Sequence, residues 1–430
     1  MTGRRFGQRW RVAGVALLAL ALAGCASSGA ISNARIAYDD GHPDAALALI
    51  EAGLDEGRIA ERDRLVGLLE AGMIAHVAGR IEDSIAHLRD AAELVERLDA
   101  VFIGEQAGTL IVNDRTARYR GEYAERLWIR TLQMLNYLVL DDVSGAAVEA
   151  RQAIALYERH GAPLDGDVFS RTLAARMLDG VGEPQSAAIE YARAFEASGG
   201  AASVAAVALE TAQRADRPDD AARYRDALAR TAAPAASPGG RTGTLLLIVG
   251  SGRVPAKQAG NLFIAPELRI SFPYYPSYAI ETGGAALRIA IDGEPRQTRP
   301  VTTLTGSVAE ASLAARATQV TARQTLRVVT KQGIAAAARR EDELLGALVA
   351  AAFFLLEEAD TRGWLTLPGE FAFHEIELPV GEHALSLASA TGDRLELDGL
   401  QIQANRLLPV IVHERPQGWV RVVPRVSATD

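Results

Sequence analysis

Residues 121–156, GEYAERLWIRTLQMLNYLVLDDVSGAAVEARQAIAL, read as two antiparallel helices around a short polar turn. Trp128, Leu132, Leu135 and Val139 recur at helical period in the first half, and Ala146, Ala150, Ala153 and Tyr157 stripe the second. One hairpin alone cannot bury both stripes. The pattern therefore predicts an array of similar hairpins, each covering its neighbour.

The sequence supplies four more copies. The stretch from Gly79 through Ser84 and Leu88 to Ala91, preceded by Leu68, Ala71, Gly72 and Ala75, resembles a tetratricopeptide repeat, with small residues where its two helices touch. Gly41 with Ala46 and Ile50, Gly182 with Ala187, Tyr191 and Ala194, and Asp216 with Ala221 give the others, and Asp141 marks the turn of the first hairpin. The turns lie 38, 62, 41 and 34 residues apart, so the array is degenerate, and the long interval predicts an extra helix or loop around Val101 to Arg120. Counting from the turns puts Arg35, Tyr38, Leu69, Met73, His76, Leu135, Leu138, Arg176 and Glu210 on the concave side. Of these, Arg35, Tyr38, Met73, His76, Leu135 and Arg176 are the expected partner-binding residues, suited to a helix or extended segment of another protein. The alternative is that they pack against a further helix of the same chain.

The chain opens differently. Met1 to Arg11 is basic, Val12 to Ala23 is a short apolar run, and Leu22-Ala23-Gly24-Cys25 follows, which resembles the lipobox of bacterial lipoproteins. That resemblance implies cleavage before Cys25, the only cysteine, and lipid attachment to its thiol and new amino group. Ala26-Ser27 resembles the outer-membrane type of signal. Loss of the four arginines in the first 24 residues takes the formal charge from −9 to −13. A chain this acidic repels phosphate backbones, which argues against nucleic acid.

The expected organisation is a signal segment over 1–24, a helical repeat domain over 25–230, a Pro/Gly/Ala linker over 231–242 and a C-terminal α/β domain over 243–430. The class is thus α+β: a tetratricopeptide-like solenoid followed by a β-rich, sandwich-like domain with an inserted helical segment. Strands are expected at Thr244–Val249, Leu287–Ile291 before the Asp292-Gly293 turn, Phe371–Leu378, His383–Leu387, Leu395–Leu400, Leu407–His413 and Trp419–Val423. Pro379-Val-Gly381-Glu-His-Ala-Leu resembles the turn and strand of transthyretin-like or carbohydrate-regulatory sandwiches. The helical insertion runs from Val308 to about Ala359, and its thirteen-residue apolar run, Leu344 to Leu356, suits a helix buried on the sheet better than a bilayer span.

Motifs for chemistry are weak. Gly250-Ser251-Gly252 follows a strand but lacks the Lys-Ser/Thr of a phosphate loop. His374, His383 and His413 alternate with apolar residues on their strands and lack metal-ligand spacing. The pairs Asp39-Asp40, Asp141-Asp142, Asp219-Asp220 and Glu357-Glu358 mostly sit where helices start, which suits capping. No cofactor, metal or catalytic residue is assigned. One corner stands out, Asp360-Thr-Arg362-Gly-Trp364, which either binds a partner or sugar ring or closes on itself, Arg362 to Asp360, with Trp364 plugging the core.

Together the lipobox, Gly121-Glu-Tyr123, Asn136-Tyr137-Leu138, Val148-Glu149-Ala150-Arg151, Gly252-Arg-Val-Pro255-Ala-Lys257, Asp360-Thr-Arg362-Gly-Trp364 and Leu367-Pro368 resemble a family of proteobacterial tetratricopeptide-like outer-membrane lipoproteins. The resemblance implies a lipid-anchored, periplasm-facing protein whose partners are other envelope proteins, including other lipoproteins. The function expected from the residues is an adaptor or scaffold in cell-envelope assembly rather than an enzyme. The alternative is a glycan- or peptidoglycan-binding lipoprotein acting through the β module.

Overall fold

Five helical hairpins fill the first half of the computed structural model, which describes residues 29–102, 117–231, 241–265, 268–277, 287–316, 358–389 and 392–423, with residues 340 and 343. They pair α1 (29–39) with α2 (Pro43–Asp55), α3 (Arg64–Val77) with α4 (Ile81–Phe102), α5 (Tyr123–Val139) with α6 (Val143–His160), α8 (Val168–Gly180) with α9 (Pro184–Ala197), and α10 (Ala202–Arg214) with α11 (Pro218–Ala229). A single turn, α7 (Ala162–Asp165), bridges the third and fourth.

The five turns are built alike. Gly41, Gly79, Asp141, Gly182 and Asp216 all have φ between 51° and 83°. In each, the residue after this one donates its N–H to a carbonyl five positions back: His42 to Ala37, Arg80 to Ala75, Asp142 to Tyr137, Glu183 to Leu178 and Arg217 to Ala212. This left-handed stop closes the first helix and launches the second, as in a Schellman motif. Asp142 then caps α6 by accepting from the Gly145 amide. The five turn positions read from the sequence are thus the observed ones. The stripes are buried too, with Trp128, Leu132, Leu135, Ala146, Ala150, Ala153 and Tyr157 all at 3% exposure or less. In the long interval, α4 continues to Phe102, and residues 103–116 lie outside the described residues.

The second half is a sandwich. A five-stranded mixed sheet has the order β11-β10-β1-β7-β6, and a four-stranded antiparallel sheet the order β5-β4-β8-β9. Their strands are β1 (Thr242–Ser251), β4 (Arg288–Ile291), β5 (Glu294–Arg296), β6 (Val301–Leu304), β7 (Glu370–Pro379), β8 (Gly381–Ala388), β9 (Arg394–Ile402), β10 (Leu407–Arg415) and β11 (Gly418–Arg421). Asp292 and Gly293, both at positive φ, form the β4–β5 turn. A further hairpin, β2 (Gln258–Ala265) with β3 (Leu268–Tyr274), stands apart from both sheets, and α12 covers 305–316.

Every strand read from the sequence is present, while β2, β3, β5 and β6 were not anticipated. The linker residues 232–240 and, apart from residues 340 and 343, the insertion over 317–357 with the Leu344–Leu356 run lie outside the described residues, as does the signal segment with Cys25. Among the described residues no helix is long and apolar enough to cross a membrane.

Three layers result. Leu245, Leu247 and Val249 of β1 point into the sandwich with Ile376, Leu378 and Val412. Leu246 and Ile248 point the other way, into one core shared with the helices and with Phe371, Phe373 and Ile411. Burial on both faces explains why β1 reads as an unbroken apolar run. The larger sheet therefore lies in the concave side of the helical arc.

Gly72 tests the repeat packing. A Cβ there would sit 2.6 Å from Leu88 Cδ2, a fully buried side chain of α4. Gly72→Ala is expected to cost about 1–3 kcal/mol through overpacking, read as a lower urea midpoint.

Candidate functional site

The concave residues expected to meet a partner meet this chain's own β domain instead. Tyr38, Met73, His76 and Leu135 are at most 3% exposed. Arg35 donates from Nε to Glu70 (2.9 Å) and through its guanidinium to the Gly363 carbonyl (2.7 Å). The Tyr38 hydroxyl donates to the Thr366 carbonyl (3.3 Å), and Arg415 of β10 lies 3.4 Å over the Tyr38 ring. The ring of His76 meets His413 of β10 edge-on at 5.3 Å. The concave register was therefore right, and its occupant is a sheet and a loop rather than a foreign segment or a further helix. The partner-binding assignment of Tyr38, Met73, His76 and Leu135 is corrected on this ground, since they are buried while the sheet is docked; Arg35, part-exposed, is engaged by Glu70 and Gly363.

The corner loop is the centre of this contact. Glu70 of α3 is fully buried, and its carboxylate accepts from the backbone amides of Leu365 (2.9 Å) and Thr366 (3.2 Å). Glu125 of α5 accepts from the Trp364 amide (2.8 Å) and the Tyr119 hydroxyl (2.6 Å). Three successive amides are thus held by two carboxylates of the solenoid, and Trp364, 1% exposed, fills the core beneath. Arg362 forks onto Asp360 at 2.7 and 2.8 Å and reaches Asp63 at 3.1 Å. Of the two readings of the corner, the self-closing one is observed, so Asp360, Arg362 and Trp364 hold the two domains together.

Next to it lies a buried charge cluster that sequence reading missed. Lys257, 6% exposed, donates to Glu122 (2.9 Å), and Arg316 of α12 donates to the other oxygen (2.7 Å). Burial pushes the Glu122 carboxyl up, but Lys257 and Arg316 outweigh it and hold the group at about 2. The available signal was Lys257 itself, one of two lysines in the chain.

The three histidines do not converge. His374 faces the smaller sheet, where Thr298 Oγ1 lies 2.8 Å from Nδ1. His383 pairs with Asp292 at 2.7 Å, and His413 faces the helices. Among the described residues no group of three potential ligands could hold a metal ion.

Among the described residues, one part of the concave side stays open. Beyond Arg176 the sheet ends, leaving a groove of about 970 Å³ between α8, α10, the starts of β1 and β10, the end of β7 and the 296–299 loop. Its walls carry Arg176, Arg214, Arg296, Arg299 and Arg406 against Asp141, Asp179, Glu210, Glu375 and Glu377. Arg176 binds Glu375 (2.7 Å), which joins the floor to α8, while Arg214 binds Asp179, joining α10 to α8. Burial raises the Glu375 carboxyl, and Arg176 draws it part of the way back. The Tyr191 hydroxyl is buried at the wall with no hydrogen-bond partner among the described residues. Arg176 and Glu210 are thus the two expected concave residues that border open space.

No protein-family model matches the chain, and no curated protein matches it in sequence. Among solved structures it aligns with MamA at 14% identity and a TM-score of 0.33, covering 47% of this chain and 90% of that one. It aligns with YrrB, titled a TPR protein with an unusual peptide-binding site, at 15% identity and 0.31, covering 47% and 87%. A third, TTC0263, a thermophilic TPR protein in Thermus thermophilus, gives 16% and 0.26, covering 48% and 92%. The repeat assignment rests instead on the five like-built turns of this chain.

Two outcomes test the interface. Glu70→Ala strands Arg35 and two buried amides, so a loss of about 3–5 kcal/mol is expected in urea denaturation. His413 is kept neutral well below its usual range by burial and by neighbouring His76 and Arg415. Its folded value lies under the unfolded value of about 6.5, so its contribution to stability falls as pH drops below that point, by up to about 1.4 kcal/mol per unit. The stability difference between wild type and His413→Leu should therefore shift in favour of the variant from pH 7 to pH 5.

Proposed function

We propose that this protein is a lipid-anchored, periplasm-facing scaffold of the outer membrane. It holds a segment of another envelope protein in the groove beside α8 and α10. The observation that carries this is the groove itself, the stretch of concave surface that the described residues leave unfilled, with a volume of about 970 Å³.

Its chemistry selects the occupant. Five arginines face five carboxylates, a balance that suits a polypeptide bearing both charges and suits a phosphate backbone poorly. A sugar ring would need an open aromatic face, yet Tyr191, the aromatic residue of these walls, is fully buried. That favours a protein partner over the glycan alternative. The unbonded Tyr191 hydroxyl and the raised Glu375 carboxyl are groups that a polar occupant would satisfy. Support for anchoring comes from Leu22-Ala23-Gly24-Cys25, four residues before the first described residue of α1.

Photo-crosslinking residues placed at Glu210 and Glu377 should capture the same envelope protein in cells, and one at Ile189 on the outer side should not. Arg296→Glu with Arg406→Glu should reduce that capture several-fold. Equal capture from all three positions would sink the groove as the site. Labelled palmitate should enter the wild type and not Cys25→Ser.

A further inference from the structure

The edge where the first helices begin carries more than their ends. Residue 29, the first described residue of α1, lies four positions after Cys25, and four residues span at most about 14 Å. Ala30 and Ile59 both pack on Gly53, and Ile59 packs on Gly67 of α3. Asp63, just before α3, pairs with Arg362, whose guanidinium lies 5.2 Å over the Tyr119 ring. Lys257 lies 5.4 Å over the same ring, and β2 starts at the next residue. This chain of contacts roots the β2–β3 hairpin at the edge to which the lipid would be fixed.

The hairpin is unlike the other strands. Among the described residues its strands pair only with each other, and one face carries Gln258, Gly260 and Leu262 opposite Tyr274, Phe272 and Ile270. Leu262, Phe272 and Tyr274 are exposed by 55%, 38% and 39%. No residue of that face is charged. Polarity is graded along it: at the root the Tyr274 hydroxyl donates to Gln258 (3.2 Å), while Leu262 lies toward the tip. The opposite face holds the buried Ser271, and toward the tip it carries Phe263, exposed by 62%.

We propose that this face of the β2–β3 hairpin is a membrane-contact element, which inserts its outer end into the headgroup region of the bilayer holding the lipid anchor. A wet root carrying a phenol and an apolar outer end match the profile of that region. A second copy fits less well, because the four exposed apolar side chains Leu262, Phe263, Phe272 and Tyr274 fall far short of the roughly 800 Å² per partner that a stable dimer takes. The proposal is separate from the groove and rests on the anchoring reading for orientation alone.

The test uses the processed chain from residue 26 onward, which has no cysteine, so that vesicle binding reports the protein surface and not the lipid. A polarity-sensitive fluorophore on Leu262→Cys should shift to the blue with vesicles of phosphatidylethanolamine and phosphatidylglycerol, and be quenched by nitroxide-bearing acyl chains. The same fluorophore on Ile189→Cys should not respond. Phe272→Ser with Tyr274→Ser should lower vesicle partitioning about tenfold or more, with the urea midpoint as a check on folding. Unchanged partitioning in a folded double variant would overturn the proposal. So would a Leu262 signal that follows protein concentration instead of lipid, which marks self-association. If palmitate labelling at Cys25 fails while the Leu262 fluorophore still responds to vesicles, the anchor is wrong and the hairpin contact stands.

Discussion

Two carboxylates placed inside an apolar arc set the terms for the whole molecule. Glu70 and Glu125 are at most 4% exposed, on the concave faces of α3 and α5. A buried carboxylate without donors is too costly for a fold of ordinary stability. The amides of Trp364, Leu365 and Thr366 supply the donors, together with Arg35 and Tyr119. The solenoid and the sandwich are accordingly one cooperative body. The loop supplies Glu70 with two amide donors, Leu365 and Thr366, and adds the Trp364 amide to the Tyr119 hydroxyl and Glu122 amide that Glu125 already accepts from.

This arrangement resembles capture of an extended peptide by a repeat protein, with both parties in one chain. Gly363 and Thr366 offer carbonyls to Arg35 and Tyr38, their neighbours offer amides to the glutamates, and Trp364 supplies the apolar anchor. The sheet then extends the contact through Phe169 of α8, stacked on Phe371 at 5.1 Å, with the Phe169 amide donating to Thr303 of β6. A surface used this way is spent on architecture, so the proposed recognition of a partner falls to what the described residues leave uncovered.

Local structure was legible in the sequence because its signals are local. Left-handed turn residues, alanine stripes at helical period and alternation along strands each lie within a dozen residues, and each led to the observed element. The pairing of surfaces was not legible. Arg35 and Gly363 are 328 positions apart, and the two groups of residues that looked suited to binding, the concave set and the Asp360–Trp364 corner, were read separately when they bind each other. One clue was present: Glu70 and His76 interrupt the otherwise apolar stretch Leu65–Val77, and polar groups inside a buried helix require a polar counterpart. The β2–β3 hairpin escaped because Gly260 and Pro273 interrupt its alternation.

The contrast between the two parts of the concave side bears on what the open part does. Where the sheet docks, the surfaces are aliphatic and aromatic, and the charges present are paired across the contact or capped by amides, as in a permanent interface. Past Arg176 the lining changes to arginine and carboxylate, and α10 is tied to α8 through Asp179 rather than to the sheet. Interfaces that form and dissolve are more polar than those that persist, since each face must also tolerate water. A fifth hairpin that served only to extend the core would be expected to bury its inner side against more strand. Instead it holds a charged wall away from the sheet, which suits the reversible occupant proposed for this groove.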